Sequence, residues 1–227
     1  MVQRVYYDSN VKSQKTCNFC GGTNHLCRQC PIEAKMAPIL KKYIGKIIEN
    51  FIASQYNCPC CMKKELSVLG NHSPSLDIVC RSCTRRFEVK SKCLSIKDLP
   101  KDIKLPHGSY EEYEKRQNSG LDLFVVIYKV DRIKKIITIR EVLYAKNNMI
   151  QKKKNIMVLK RKTSHLSNIF IKDKDQLQKM ELDNLYQFDF SNLINMYVQS
   201  ESETTCREEI NNLTKNIENT RIGEVTN

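Results

Sequence analysis

The sequence predicts a mixed α/β fold, with a short cysteine-rich segment ahead of the core and an acidic segment after it. Three observations carry that expectation. Within residues 38–56, Ile39, Leu40, Tyr43, Ile44, Ile47, Ile48, Phe51 and Ile52 recur at three- and four-residue spacing, the period of a helix with a broad apolar face. Residues 121–130, LDLFVVIYKV, read as a buried strand, and residues 136–140, IITIR, as its antiparallel partner across a turn near 131–134. The 227 residues suffice for one sizeable core plus a small appendage.

In chain order, residues 1–16 form a polar lead-in and 17–31, CNFCGGTNHLCRQCP, a compact Cys/His cluster. In the helix that follows, Lys41, Lys42, Lys46 and Glu49 fill the polar side, and Pro38 suits the first turn. Gly45 inside it costs about 1 kcal/mol relative to Ala. Residues 57–92 hold a second cysteine cluster joined to a short strand signal. Residues 93–120, broken by Pro100, Pro106, Gly108 and Gly120, are irregular apart from a short helix near 110–117. Beyond residue 173 the chain turns acidic and Asn-rich, with a linker at 200–205 and a solvated helix at 207–219.

Charge narrows the function class. The formal net charge is +13, with 38 basic against 25 acidic side chains. Residues 132–162 contain 11 Lys/Arg, among them Lys152, Lys153 and Lys154, and one acid, Glu141. A basic body with an acidic tail suits a polyanionic partner, nucleic acid first of all, although a Lys-rich soluble protein has the same composition. No apolar run is long enough for a transmembrane helix, and the start lacks an apolar signal core, so a soluble, intracellular protein of cytoplasm or nucleus is expected. The 11 cysteines fall mainly in Cys-x-x-Cys pairs, which without an export signal argues for zinc rather than disulfides.

The first cluster, Cys17-x2-Cys20-x4-His25-x4-Cys30, offers three thiolates and an imidazole, a tetrahedral zinc set in a segment too short to fold without metal. It resembles the CCHC zinc knuckles of nucleic-acid-binding proteins. That resemblance implies contact with single-stranded nucleic acid, often by stacking a base on an apolar or aromatic residue, with Phe19, Leu26, Arg28 and Gln29 as the candidate contacts. Cys27 also stands in a Cys-x-x-Cys with Cys30; His25 is preferred as fourth ligand and Cys27 is the alternative. A purely structural zinc clip is the other reading of the segment.

The second cluster pairs Cys58-x2-Cys61 with Cys80-x2-Cys83, a zinc-ribbon spacing with Cys60 as a spare. Woven through it are Asp77 and the run Glu88-Val-Lys90-Ser-Lys92. If the Cys80–Cys83 loop is the tip of a hairpin, Asp77 falls opposite Glu88, and the two-residue period sends Glu88 and Lys90 to one face. Two carboxylates and an ammonium then converge, a suitable place for a hard divalent cation. A charged strand on a zinc ribbon's surface is the plain alternative.

Asp…Glu-x-Lys with an interposed Cys-x-x-Cys resembles the catalytic domain of the DpnI-like, Dam-replacing restriction endonucleases of the PD-(D/E)xK superfamily. The likeness is sharpest over NCPCC…SLDIVCRSCTRRFEVKSK and extends more weakly from the helix to about residue 172. It implies an α/β restriction-endonuclease-like core with an inserted four-Cys zinc site and a catalytic magnesium; with the knuckle, two structural zincs are expected. Asp77 and Glu88, with the Val89 carbonyl, would hold the Mg²⁺ against a scissile phosphate, Lys90 would orient the attacking water, and Lys92 would touch the backbone phosphate. Glu49 on the preceding helix is a candidate outer acid. The division expected is a knuckle at 1–32, a nuclease core at 33–172 and a tail at 173–227.

The likeness has a limit: the segment after the core is short and acidic, with no sign of the winged helix that reads methylated adenine in that family, so methyl-dependent recognition is not carried over. The expected activity is Mg²⁺-dependent hydrolysis of DNA phosphodiester bonds. The rival is a nucleic-acid-binding zinc protein, a transcription or packaging factor on an inactive nuclease fold. A zinc knuckle on such a core, in a Lys/Ile/Asn-rich chain, fits a large DNA virus or an AT-rich eukaryote.

Overall fold

The computed structural model describes residues 16, 17, 19, 20, 30–69, 76–94, 102–109, 120–147, 156–160 and 166–199. His25, Leu26, Cys27, Arg28, Gln29, Lys152, Lys153, Lys154 and the short helices expected near 110–117 and 207–219 lie outside them.

The long helix, α1, spans Pro31–Gln55 and starts seven residues before the expected Pro38. Pro31 takes the first helical position, Glu33 lies in the first turn, and the Cys30 side chain accepts the Glu33 N–H at 3.4 Å. Pro38 sits inside the helix on its exposed face, where water can take the bond its missing N–H forgoes. The opposite face buries Met36, Tyr43, Ile44, Ile47, Ile48, Phe51 and Ile52.

Ten strands follow among the described residues: β1 Leu66–Val68, β2 Ile78–Cys80, β3 Arg86–Cys93, β4 Ile103–Ser109, β5 Asp122–Asp131, β6 Ile136–Ala145, β7 Ile156–Lys160, β8 Leu166–Ile171, β9 Gln178–Met180 and β10 Gln187–Asp189; helix α2, Ser191–Gln199, comes last. The main sheet runs β1-β2-β3-β5-β6-β10, with β9 also on β6. The β3–β5 pair is parallel and the other pairs are antiparallel. A smaller antiparallel sheet has the order β4-β8-β7.

The molecule is built in layers. Phe124, Val126 and Tyr128 of β5 join Phe87, Val142 and Tyr144 in the core beneath α1 and α2, while Leu123, Val125 and Ile127 join Ile103, Leu105, Ile169 and Ile171 beneath the smaller sheet. Burial on both faces is why β5 reads as a continuous apolar run rather than an alternating one. Asp131 Oδ1 accepts the N–H groups of Ile133 and Lys134 at 3.0 Å each, and so closes the expected turn into β6. β6 runs five residues past the expected Arg140. Ile127 pairs with Glu141 but Tyr128 with Ile139, so Arg140 is the extra residue of a bulge. Beyond it Glu141 is buried, held by Lys174 Nζ at 2.7 and 2.9 Å.

Two expected boundaries move. Cys17, Phe19 and Cys30 belong to the same buried cluster as α1 and the main sheet, so these residues of the leading segment are part of the core. Residues 178–180 and 187–189 add strands to β6, and Phe190, Leu193 and Ile194 are buried. The packing therefore continues past residue 172 to at least Tyr197. No described helix is long and apolar enough to cross a membrane.

Candidate metal centres and active site

Cys58, Cys61, Cys80 and Cys83 bring their sulfurs within 4.8 Å of one another, with Cys58–Cys83 and Cys61–Cys80 each at 3.6 Å. Four thiolates at tetrahedral Zn–S distances of about 2.3 Å stand about 3.8 Å apart, whereas a disulfide needs about 2 Å. Spacing and softness thus fit zinc. Two matching turns build the set: Met62 N–H donates to the Cys58 carbonyl at 2.8 Å and Cys58 N–H to Lys63, while Thr84 N–H donates to Cys80 at 2.9 Å and Cys80 N–H to Arg85. Burial pushes the Cys58 thiol up to about 12. At Cys80 burial is overcome by the Cys83 N–H and by neighbouring thiols, which bring it to about 7. Crowded sulfurs of this kind ionise together only around a cation.

Cys17, Cys20 and Cys30 also converge, with Cys20 and Cys30 3.6 Å apart. Burial raises Cys30 to about 11 despite the Glu33 N–H; Cys17, against its own burial, falls to about 6 through the N–H groups of Cys20 and Phe19 and its thiol neighbours. The three thiolates fit three corners of a zinc tetrahedron. Phe19, however, is 1 % exposed and packed in the core, so as it lies no base can stack on it. The expectation of an aromatic platform there is corrected: the ring is a core side chain.

The carboxylate site forms where β2 stops and β3 runs on. Ile78 faces Phe87 and Val79 faces Arg86, and the Asp77 N–H donates to the Phe87 carbonyl at 3.2 Å, which keeps Asp77 next to the start of the Glu88 run. With β2 ended, the Val89 N–H donates to Asp77 Oδ2 at 2.7 Å. Phe87 and Val89 pack on the helix side, and the strand period sends Glu88 and Lys90 the other way, where Lys90 Nζ meets Glu88 Oε1 at 2.7 Å. Lys92 continues that face two residues on, half-buried.

From α1, Glu49 reaches the same neighbourhood. Burial and the Asp77 charge push its carboxyl up to about 7, against the pull of Lys46, 3.7 Å away, and of Lys90. Glu49 therefore shares one electrostatic environment with Asp77, Lys46 and Lys90. Carboxylate oxygens of this kind are the donors a hard divalent ion prefers.

One supporting group had no signal in the sequence. Asp122, 1 % exposed at the start of β5, accepts Arg85 Nε and Nη2 at 2.9 and 2.8 Å, Tyr144 Oη at 2.6 Å and the Asn147 N–H at 2.8 Å. It ties the Cys80–Cys83 loop to the sheet just ahead of Glu88, and holds Arg85 protonated well above its ordinary range. Its partners lie 22 to 37 residues away in the chain, beyond the reach of any local pattern.

Residues 39–200 match the sequence model of a family described as DpnI: Dam-replacing family. No curated protein matches the chain.

Proposed function

Starting from the fact that the chain belongs to the Dam-replacing family of DpnI-like restriction endonucleases, we propose that it is a DNA endonuclease of the PD-(D/E)xK type that requires Mg²⁺. One observation supports the reading: where β2 ends, Asp77 Oδ2 accepts the Val89 N–H and Lys90 Nζ meets Glu88 Oε1 on the strand that follows the Cys80–Cys83 turn.

In this reading Asp77 and Glu88 are the magnesium ligands, and the bound ion would stabilise charge on the pentacovalent phosphorus and lower the pKa of a water. The Val89 N–H fixes the Asp77 carboxylate, so the two acids are oriented before substrate arrives. Lys90, held by Glu88, turns to the attacking water and favours its hydroxide form. Lys92, on the same face, takes a neighbouring phosphate, and Arg28, Lys152, Lys153 and Lys154 extend the cationic path for DNA. Glu49 adds an outer carboxylate from α1. Both cysteine clusters hold structural zinc, the first with His25 as fourth ligand.

The test is nicking of supercoiled plasmid by zinc-loaded protein, with adenine-methylated and unmethylated DNA and with single strands. Cleavage that appears with Mg²⁺ and disappears when Mg²⁺ alone is omitted is the expected result. DNA binding without cutting under any divalent metal would overturn the proposal.

A further inference from the structure

Each of the two zinc turns places a residue in the left-handed region directly after its second cysteine, Met62 at φ 61° and Thr84 at φ 57°. Glycine is the residue that adopts this conformation without strain, yet neither position holds one. Met62 in particular is 70 % exposed, one of three large apolar side chains so displayed among the described residues. An apolar side chain held out on a strained, metal-pinned turn has no packing role to explain it.

Its surroundings are cationic. Across residues 59–65 and 81–86 the chain carries Lys63, Lys64, Arg81, Arg85 and Arg86 against the single acid Glu65. Arg85 is engaged by Asp122, and Arg81 reaches Ser67 Oγ at 3.1 Å while remaining exposed. Lys63, Lys64 and Arg86 are exposed as well. Four thiolates around a divalent ion leave a net negative charge at the centre of this patch, which the nearest cations offset, but lysines that follow an exposed Met on the outer turn are placed to face outward.

The patch also lies close to the carboxylates. Cys80 and Asp77 are three residues apart, about 10 Å of strand, which is about three base pairs of duplex at 3.4 Å each. We propose, building on the endonuclease reading, that the zinc-turn tip is a second duplex contact beside the scissile phosphate. Met62 presses into the groove as an apolar wedge, and Lys63 and Lys64 hold the flanking phosphates. Apolar wedges with basic neighbours are a general means of opening a base step, and here the zinc supplies the rigid base that a wedge needs.

The test uses the zinc-loaded full chain and a short fluorescein-labelled duplex, with Ca²⁺ replacing Mg²⁺ so that binding is read without cleavage. Met62→Gly is expected to weaken binding about tenfold, to keep its zinc, and to melt at or above the wild-type temperature because the turn strain is relieved. Met62→Leu should bind within about twofold of wild type. The Lys63→Gln/Lys64→Gln pair should flatten the plot of log K against log salt by about 2 units, and Leu185→Ser, elsewhere on the surface, should change nothing. If Met62→Gly loses zinc, the salt slope of the lysine pair decides the matter. Wild-type binding and cleavage that persist unchanged in Met62→Gly and in the lysine pair would overturn the wedge and leave the endonuclease standing. Absence of any duplex binding by the wild type would overturn both.

Discussion

Glu49 shows how a single carboxyl reports on its neighbours. Burial and the Asp77 charge lift it from 4.5 to about 7, so between those values the folded, Mg²⁺-free protein binds more protons than the unfolded chain. The stabilisation is present at low pH and is lost as pH rises through that window. Glu49→Gln should remove this slope, which urea midpoints of the zinc-loaded, Mg²⁺-free proteins at about pH 5 and about pH 8 would read; a constant difference between them would contradict it. Asp122 gives a second residue-scale expectation. Asp122→Ala strands the Arg85 guanidinium, the Tyr144 hydroxyl and the Asn147 N–H at once. The loss should be about 3–5 kcal/mol by urea denaturation, and a loss below about 1 kcal/mol would mean water replaces the carboxylate. At this scale the antiparallel hairpin that carries Asp77 and Glu88 was legible, because the Cys80–Cys83 loop fixes the pairs next to it. Asp122 was not, since its role depends on elements the pattern cannot bring together. Phe19 misled for the opposite reason: its motif is local, but its burial comes from packing with α1 and the sheet.

The elements around the site lean on one another. β1 and β2 have three residues each, too few to hold a sheet edge alone. The four thiolates that bracket them supply the missing constraint. Stripping zinc from Cys58, Cys61, Cys80 and Cys83 should therefore abolish cleavage even with Mg²⁺ in excess, and restoring zinc should return it. Full activity in verified zinc-free protein would show that the hairpin stands by itself. Helix α1 is tied at its front by Cys30 and carries Glu49 near its rear. Its apolar stripe was readable, but its start was not: both Pro31 and Pro38 suit a first turn, and only the cap at Cys30 decides between them. Gly45 is a weak point in that helix, and a Cβ there would meet nothing within 4 Å. Gly45→Ala should stabilise the protein by about 0.5–1 kcal/mol, seen as a higher melting temperature; a lower one would reveal a close approach.

Across the whole molecule, the family likeness rested on a short stretch of cysteines and acids, while the extent of the core rested on packing. Residues 178–180 and 187–189 are three-residue strands in an acidic context, without enough alternation to announce themselves, yet both pair with β6. The bulge at Arg140 broke the pattern of β6 in the same way and hid its second half. Charge follows a similar logic: Glu141, the lone acid of the basic block, is turned inward onto Lys174, leaving the block's cations without an acid of their own segment. The measurement that tests the account most directly is the rate of Mg²⁺-dependent duplex cleavage by Lys90→Ala beside wild type, with zinc content measured in both. The account predicts equal zinc, retained duplex binding and a rate reduced by at least about a hundredfold. A zinc-replete Lys90→Ala protein that cuts at the wild-type rate would contradict it.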